Sequence, residues 1–322
     1  MILLHKKFIK DKIRCQAYQK AIREVIKQGD VVIDIGAGSG LLSYFALRAG
    51  ARKVYAIEQN GSLIDAARKI AKANGLDKKI TFIKGNSAKV TLPEKADVVI
   101  CEIIGFLLLE ENIIKYLHDA RARFLKRTGI LMPSHGEIII APIEAPKFYR
   151  QRVDFWRGKK YGIDFSEIRN HAVNCYYPIK IKPADLLASP AAVCSADFYK
   201  IKSARQLYPQ GVFEFDIARD GMLYGLGAWF CVKLSRSISL SNLPGSVLHW
   251  KQRFFPIQNP APLKKGDRIR GKIIGSYLPG TMVWSWSIEV QRKKKRDSHD
   301  KSERTYFKHS TLYSKPLSRQ TV

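Results

Sequence analysis

The chain has 322 residues, 46% of them hydrophobic, which is enough to bury the cores of two domains. A formal net charge of +28 is typical of proteins that meet an anionic partner, such as nucleic acid or an assembly that contains it. Five widely spaced cysteines without a CxxC pair exclude a disulfide framework and a zinc site, and they predict a reduced, cytoplasmic protein. The apolar runs are too short for a signal peptide or a membrane span.

The first half of the chain alternates between helical and strand-like patterns. Apolar residues at helical spacing predict one amphipathic helix from about His5 to Lys27, with Asp11 and Arg14 among its polar positions. Strand patterns follow at 31–35, 53–57, 80–83 and 96–102, and helical patterns at 41–49, 62–73 and 111–125. This succession with short connections predicts a doubly wound, Rossmann-like parallel sheet in an α/β domain that covers residues 1–142.

The sequence VVIDIGAGSG, from Val31 to Gly40, places a glycine-rich turn between the first strand and the next helix. Gly36 and Gly38 lack a Cβ, so a ligand can approach the backbone closely there. The second strand ends in Glu58, where an acidic side chain accepts hydrogen bonds from ribose hydroxyls. Because Leu41 stands where a dinucleotide fingerprint has its third glycine, the spacing favours S-adenosyl-L-methionine (AdoMet) over NAD.

Acidic residues at the strand ends predict the chemistry of the site. Asp34, Glu58 and Glu102 each fall at the carboxyl end of a strand, where parallel sheets bind ligands, and we assign Asp34 and Glu58 to the cofactor. After Glu102 an apolar loop returns the chain to Glu110 and Glu111. With no histidine nearby, these carboxylates suit an organic cation better than a metal ion. A guanidinium offers two carboxylates a matching fork of donors, so the pair can orient it for methyl transfer.

The pattern changes after Pro133. Residues 143–290 contain strand-like segments separated by Gly or Pro, which predict a mostly β domain, either a barrel or a sandwich. Within it, residues 147–170 are rich in aromatic and basic side chains and predict a partly exposed helical arm. The tail 291–322 contains ten Lys or Arg against three Asp or Glu, so we expect a disordered basic tail that contacts an anionic partner.

These motifs resemble those of the protein arginine N-methyltransferase family. VVIDIGAGSGLLS is similar to its AdoMet loop, VYAIE to its ribose-binding strand, CEIIGFLLLEE to its double-glutamate hairpin and LHWKQRFF to its threonine-histidine-tryptophan loop. The resemblance extends to about residue 290 and includes YGIDFSEI, which is similar to the family's dimerisation arm. It implies a homodimeric, AdoMet-dependent enzyme that methylates the guanidinium of protein arginine residues and carries a C-terminal β-barrel-like domain.

The resemblance also implies roles for individual residues. On the cofactor side it places Arg14 on the AdoMet carboxylate, Gly36 and Gly38 on the methionine part, Glu58 on the ribose and Ser87 near the adenine. On the substrate side, Glu102 and Glu111 would hold the guanidinium, His249 would pair with Asp11 across the domain junction, and Trp250 would line the site.

The chain departs from the family pattern at several positions. Ala88 stands where an acid usually meets the adenine amino group, and Leu248 replaces the threonine before His249. The usual Tyr-Phe-x-x-Tyr helix that covers AdoMet is not found before Arg14, so the expectation is an exposed cofactor. Phe8 occupies a position where symmetric-dimethylating members have Phe, which leans away from an asymmetric product.

Two other functions stay open at this point. One is a methyltransferase of the same architecture that acts on another amine, a ribosomal protein or a small molecule. The other is a catalytically weak AdoMet-fold protein that binds nucleic acid through its basic surface. The two glutamates argue against the second, because a pure binding module has no reason to bury them. The net charge favours a protein substrate presented near nucleic acid or one that is itself less basic.

Overall fold

The computed structural model describes residues 2–202, 209–278, 281–293 and 304–312. In the predicted basic tail, residues 294–303 and 313–322 lie outside the described residues. The N-terminal part contains α1 (Ile2–Lys10), α2 (Lys12–Val25), β1 (Val31–Ile35), α3 (Leu41–Arg48), β2 (Lys53–Glu58), α4 (Gly61–Ala73), β3 (Ile80–Lys84), β4 (Ala96–Cys101), α5 (Ile113–Arg123) and β5 (Leu125–Met132).

Strands β1 to β5 form one parallel sheet in the order β3-β2-β1-β4-β5, which confirms the predicted doubly wound architecture. All residues of the central strand β1 are buried, as expected for a strand whose two faces are both covered. The order brings the carboxyl ends of β1, β2 and β4 to one edge of the sheet, next to the glycine-rich turn.

Two predictions for this part were wrong in detail. The single helix expected from His5 to Lys27 is divided into α1 and α2, because the Asp11 carboxylate accepts a hydrogen bond from the backbone N–H of Arg14 and caps α2. Strand β5 was not predicted, and it begins at Leu125, where the helical pattern was expected to end. The exposed residues 126–128 interrupt the apolar pattern of this edge strand and conceal it.

The second part begins at β6 (His135–Ile143), so the boundary expected at residue 143 falls at the end of a strand. Its further elements are α6 (Pro146–Arg152), β7 (Lys159–Lys160), β8 (Ile163–Asp164), α7 (Ile168–Ala172), β9 (Tyr177–Ile179), β10 (Ala191–Asp197), β11 (Gln210–Asp216), β12 (Gly221–Lys233), β13 (Ser239–Ser241), β14 (Gln252–Leu263), β15 (Arg268–Leu278), β16 (Thr281–Gln291) and β17 (Arg304–Ser310).

Two antiparallel sheets make up most of this β part. One has the order β10-β6-β12-β14-β9 with β13 beside β12, and the other has the order β11-β15-β16-β17. Phe255 packs edge-on against Trp284 and Trp286 and joins the two sheets through a common core. Strand β17 corrects the expectation of a disordered tail for residues 304–310, which pair with β16.

The segment from α6 to α7 forms the arm predicted near residues 147–170. Tyr149 fixes its base, because the buried ring donates its hydroxyl to the carbonyl oxygens of Ile257 and Gln258 at 2.8 Å. At the far end, Tyr161 is fully exposed and Ile163 is 62% exposed. The arm is therefore anchored on the β part and carries apolar side chains in solvent.

The five cysteines all lie among the described residues and are free thiols, in agreement with the sequence analysis. Within the described ranges, no helix has the length and apolar character needed to cross a membrane.

Candidate functional site

A cavity of about 580 Å³ lies at the carboxyl ends of β1, β2 and β4 and extends to the β part. Ten of the eleven predicted site residues can be placed directly: Arg14, Asp34, Gly36, Gly38, Glu58, Ser87, Glu102, Glu111, His249 and Trp250 all line it. Asp11 is not a lining residue and touches His249 instead. The fold therefore brings most of the residues predicted from the sequence to one cavity.

The glycine-rich turn is closely covered. Gly36 and Gly38 have φ values of +74° and +54°, which side chains rarely adopt. A Cβ on Gly36 would lie 2.9 Å from Ile103, and one on Gly38 would lie 2.4 Å from the His5 ring. The backbone of the turn thus lines the cavity, and α1 packs against it through His5.

Helix α1 corrects the expectation of an exposed cofactor site. Leu4, His5, Phe8 and Ile9 from this helix line the cavity and cover it from the N-terminal side. His5 was missed in the sequence, although its position one helical turn before Phe8 places both side chains on one face. Phe106, which lines the opposite side, was also missed.

Two acidic side chains hold the cofactor side of the cavity in shape. The Glu58 carboxylate accepts hydrogen bonds from the backbone N–H groups of Gly38 at 3.0 Å and Asn60 at 2.8 Å. Asp34 is buried and accepts a hydrogen bond from the Ser43 hydroxyl at 2.7 Å. Burial raises the pKa of Asp34 to about 6, against the opposing effect of that hydrogen bond.

Ser87 offers an unused polar group to the same side. It is only 3% exposed, and among the described residues its hydroxyl oxygen has no hydrogen-bond partner. A buried hydroxyl normally finds a partner, so this oxygen fits a ligand that brings one. It is the polar atom that the sequence assigned to the adenine end.

Arg14 and Glu102 form a bidentate ion pair at the centre of the site. Arg14 Nε lies 2.9 Å from Glu102 Oε1, and Arg14 Nη2 lies 2.6 Å from Glu102 Oε2. Although burial by itself lowers the pKa of the Arg14 guanidinium, the charge and hydrogen bonds of Glu102 raise it above its ordinary value. One guanidinium of the chain thus already occupies the bidentate face of this carboxylate.

Glu111 presents an unpaired carboxylate to the cavity. In the described chain it forms no hydrogen bond or ion pair, and its side chain is open to solvent on the cavity side. Surrounding protein atoms, followed by the charges of Glu102 and Glu110, raise the pKa of Glu111 to about 7. A cation that enters between Glu102 and Glu111 relieves this repulsion.

We call residues 102–111 the glutamate loop. Leu108 has a φ of +66°, and Asn112, which precedes α5, has a φ of +61°. The Glu110 carboxylate accepts hydrogen bonds from the Leu107 backbone N–H at 3.3 Å and from the Tyr176 hydroxyl at 2.9 Å. Glu110 therefore shapes the loop, whereas Glu111 faces the cavity.

Asp11, His249 and Trp250 connect the β part to the site. The Asp11 carboxylate lies 2.8 Å from both His249 Nδ1 and the His249 backbone nitrogen, so the expected pair forms. Since the carboxylate only accepts hydrogen bonds, Nδ1 is the protonated ring nitrogen. The Trp250 indole N–H donates to the Ile104 carbonyl oxygen at 3.0 Å and fixes the start of the glutamate loop.

The described residues contain no group of three or more His, Cys, Asp or Glu side chains arranged to hold a metal ion. The chemistry of the donor set instead has two regions. One side of the cavity has exposed backbone, an acid at a strand end and a buried hydroxyl. The other side has two carboxylates beside aromatic rings. This division suits a nucleoside-containing cofactor next to a cationic substrate.

Two family models match this chain, one in each of its two parts. A family model described as the arginine methyltransferase oligomerization subdomain matches residues 134–277. A second model, described as ribosomal protein L11 methyltransferase, matches residues 16–139. The first model covers most of the β part, including its arm, and the second covers most of the parallel-sheet part.

Curated relatives match most of the chain. Protein arginine N-methyltransferase 6 from Xenopus laevis is 30% identical over 284 residues, which cover 84% of this chain and 83% of the relative. Histone-arginine methyltransferase CARMER from Drosophila persimilis is 34% identical over 283 residues, which cover 83% of this chain and 52% of the relative.

Solved structures match the whole architecture. Protein arginine methyltransferase 10 from Arabidopsis thaliana, described as having a uniquely open conformation, is 27% identical and has a TM-score of 0.83, with 97% of this chain and 98% of that chain covered. The Trypanosoma brucei PRMT1 enzyme-prozyme heterotetrameric complex with AdoHcy contains a chain that is 24% identical with a TM-score of 0.84, and the match covers 95% and 98%. The latter likeness supports the fold alone.

Proposed function

The chain belongs to the protein arginine N-methyltransferase family, and from this premise we propose that it transfers a methyl group from AdoMet to a guanidinium nitrogen of arginine in a protein substrate. The observation that carries the proposal is the pair of carboxylates, Glu102 and Glu111, on one cavity. A guanidinium stays charged at neutral pH and can donate to both acids at once. Burial, followed by the negative charges of Glu102 and Glu110, raises the pKa of Glu111 to about 7, and a guanidinium beside it would lower this pKa again.

The residues on the other side of the cavity fit AdoMet. The left-handed backbone at Gly36 and Gly38 lets the methionine part approach, Glu58 has carboxylate lone pairs for ribose hydroxyls, and Ser87 brings an unsatisfied hydroxyl. AdoMet supplies an electrophilic methyl group on a positively charged sulfur. Helix α1 lines this side, so its apolar residues would border the bound cofactor.

The glutamates act by orientation and electrostatics. Two carboxylates that bind opposite edges of a guanidinium fix the nitrogen that points to the methyl group, and they keep positive charge away from that nitrogen. Arg14, which is paired with Glu102 in the structure, would also hold the carboxylate of the cofactor. Trp250 holds the glutamate loop against the β part, and His249 holds the start of α2 there, so this orientation depends on the domain junction.

We also propose that the chain forms a homodimer through the arm. Phe155, Tyr161 and Ile163 are 51%, 102% and 62% exposed, and they project from the oligomerization subdomain that the chain shares with its family. Exposed apolar side chains grouped on one segment are typical of a protein interface.

We further propose that the protein substrate belongs to a nucleic-acid-containing assembly in the cytoplasm and that the basic surface and tail contact the nucleic acid. The net charge of +28 favours an anionic partner. Replacing Lys294, Lys295 and Arg296 with Gln should weaken the salt dependence of RNA binding in a filter assay. An unchanged slope of affinity against salt concentration would remove the tail from this proposal.

The function is tested by Glu111→Gln. We expect turnover of an arginine-containing protein substrate to fall by roughly a hundredfold or more, because the amide loses the charge that orients the guanidinium. AdoMet affinity should stay within about threefold, since Glu111 lies on the substrate side. The measurement is radiolabelled methyl transfer with amino-acid analysis of the product, which also distinguishes monomethyl, symmetric and asymmetric methylarginine.

The matched control is Glu110→Gln, which changes the neighbouring carboxylate that faces away from the cavity. It should retain most of the activity above pH 7. Its activity should also begin at a lower pH than that of the parent protein, because the variant lacks a negative charge that raises the pKa of Glu111.

Label in an amine other than arginine would favour the alternative substrate. AdoMet binding without any transfer would favour the nucleic-acid-binding alternative.

A further inference from the structure

Arg253 in β14 stands beside the glutamate loop. Its guanidinium carbon lies 3.9 Å from the centroid of the Phe106 ring and 5.4 Å from that of Tyr176. Phe106 belongs to the glutamate loop and lines the cavity. Arg253 therefore contacts a ring that lies next to the proposed guanidinium site. It lies three residues after Trp250 in the sequence and comes from the β part.

The charge of Arg253 has no partner in the described part of the chain. The residue is 9% exposed, its guanidinium forms no hydrogen bond or ion pair there, and its Nε is enclosed without an acceptor. Burial lowers the pKa of Arg253, and the opposing attraction of Glu110 does not make up for it. Glu110 itself already accepts hydrogen bonds from the Leu107 N–H and the Tyr176 hydroxyl.

Two other arginines with enclosed guanidinium groups show the usual arrangement. Arg14 pairs with Glu102 at 2.6 Å, and Arg169 pairs with Asp154 at 3.0 Å. Buried charges normally have such partners, because an unpaired one is costly. Arg253 instead carries this cost next to Phe106, which lines the substrate cavity.

Its aromatic contact leaves the donors free. A guanidinium that stacks on a ring uses its flat face, so the N–H groups in its plane still point outwards and can meet a carboxylate. We infer that Arg253 is a specificity-determining residue that receives the carboxylate of an Asp or Glu next to the target arginine of the protein substrate. The inference rests on the proposed function and names a class of sequence within it. The net charge of +28 acts in the same direction, because it attracts acidic segments.

The test uses peptides that contain one arginine and differ only at a neighbouring position, Asp in one and Asn in the other. One pair carries the change before the arginine and a second pair carries it after. Fluorescence anisotropy gives the Kd of each peptide with the cofactor product AdoHcy added, and steady-state assays give kcat and KM. We expect at least one Asp peptide to bind about tenfold more tightly than its Asn counterpart, with the difference in KM rather than kcat.

Arg253→Gln should remove this preference and leave the Kd of the Asn peptide within about threefold. Arg253→Lys keeps the charge and should keep part of the preference, so it decides the matter if the Gln variant does not fold. The matched control is Lys251→Gln, which removes the same charge from an exposed side chain two residues earlier. That variant should discriminate between the peptides as the parent protein does.

Two results would overturn the inference. One is a parent protein that binds the Asp and Asn peptides of both pairs equally. The other is an Arg253→Gln variant that loses affinity or turnover equally for both peptides, which would make Arg253 a support for Phe106 alone. Failure of the proposed function has a different signature, since no peptide would then yield methylarginine, whatever the binding preference.

Discussion

At the scale of single residues, the absence of a side chain at Gly38 allows both the left-handed turn beside the cavity and the close packing of His5. Its φ of +54° shapes the turn that faces the cavity, and the space above it is filled by His5 of α1. Gly38→Ala adds a Cβ 2.4 Å from that ring, so α1 has to move away from the cofactor side. We expect AdoMet affinity, measured by titration calorimetry, to fall by roughly tenfold or more.

The matched control is Gly75→Ala. Gly75 has a φ of +67°, but a Cβ there meets nothing within 4 Å. Both variants carry similar backbone strain of about 1–2 kcal/mol, and only the first disturbs the cavity. Equal AdoMet affinity in the two variants would show that α1 does not depend on the turn.

Residues also show the limit of sequence reasoning at the site. Gly36, Glu58 and Glu102 could be predicted because their roles follow from strand ends and spacing along the chain. Arg253 could not, because its position beside Phe106 depends on how β14 of the second part meets a loop of the first. The same holds for the Arg14–Glu102 pair, whose members are 88 residues apart.

At the scale of elements, β17 is a strand that could not be predicted, because it lies in a segment whose basic composition is typical of disorder. It lies between charged segments, yet Phe307 and His309 alternate inwards and complete the second antiparallel sheet. The strands of the parallel sheet were easier to predict because each is a short apolar run bounded by turn residues. Edge strands such as β5 and β17 expose one side to solvent, so their pattern is weaker.

The inward His309 predicts how β17 responds to acid. The ring is 1% exposed and stacks on Trp286, and burial lowers its pKa from 6.5 to about 4. Between these two pH values, His309 is protonated in the unfolded chain and neutral in the folded chain. It therefore lowers the free energy of unfolding as the pH drops from 6.5 to about 4. Above 6.5 it has no such effect.

His309→Phe should flatten this part of the pH profile. We expect the Tm of the variant, followed by circular dichroism, to fall less between pH 6.5 and 4 than that of the parent chain. Replacing the exposed Tyr306 of the same strand with Phe is the control and should leave the slope unchanged. A variant that keeps the parent's slope would show that other groups govern the acid response.

At the scale of the whole molecule, the arm predicts how copies of the chain associate. Ile163→Asp places a charge on its exposed apolar end, and such a charge is costly to bury in an interface. We expect sedimentation velocity to show a shift from dimer to monomer, with a dissociation constant raised by roughly a hundredfold. The secondary structure should be unchanged, since Ile163 is 62% exposed in the single chain.

Val212→Asp is the control, because Val212 is 81% exposed on β11, away from the arm. This variant should sediment as the parent chain does. If Val212→Asp separates the copies and Ile163→Asp does not, the interface lies on the β part and not on the arm.

Helix α2 has a mechanical consequence for the two halves of the molecule. The chain crosses between them covalently once, near Pro133, but α2 is fastened to the β part at both of its ends. Asp11 holds His249 at the first end, and Glu24 accepts hydrogen bonds from Ser235 and Ser237 at the last. The segment that begins the sequence is therefore a brace, since it links the two halves by non-covalent contacts in addition to the covalent connection near Pro133.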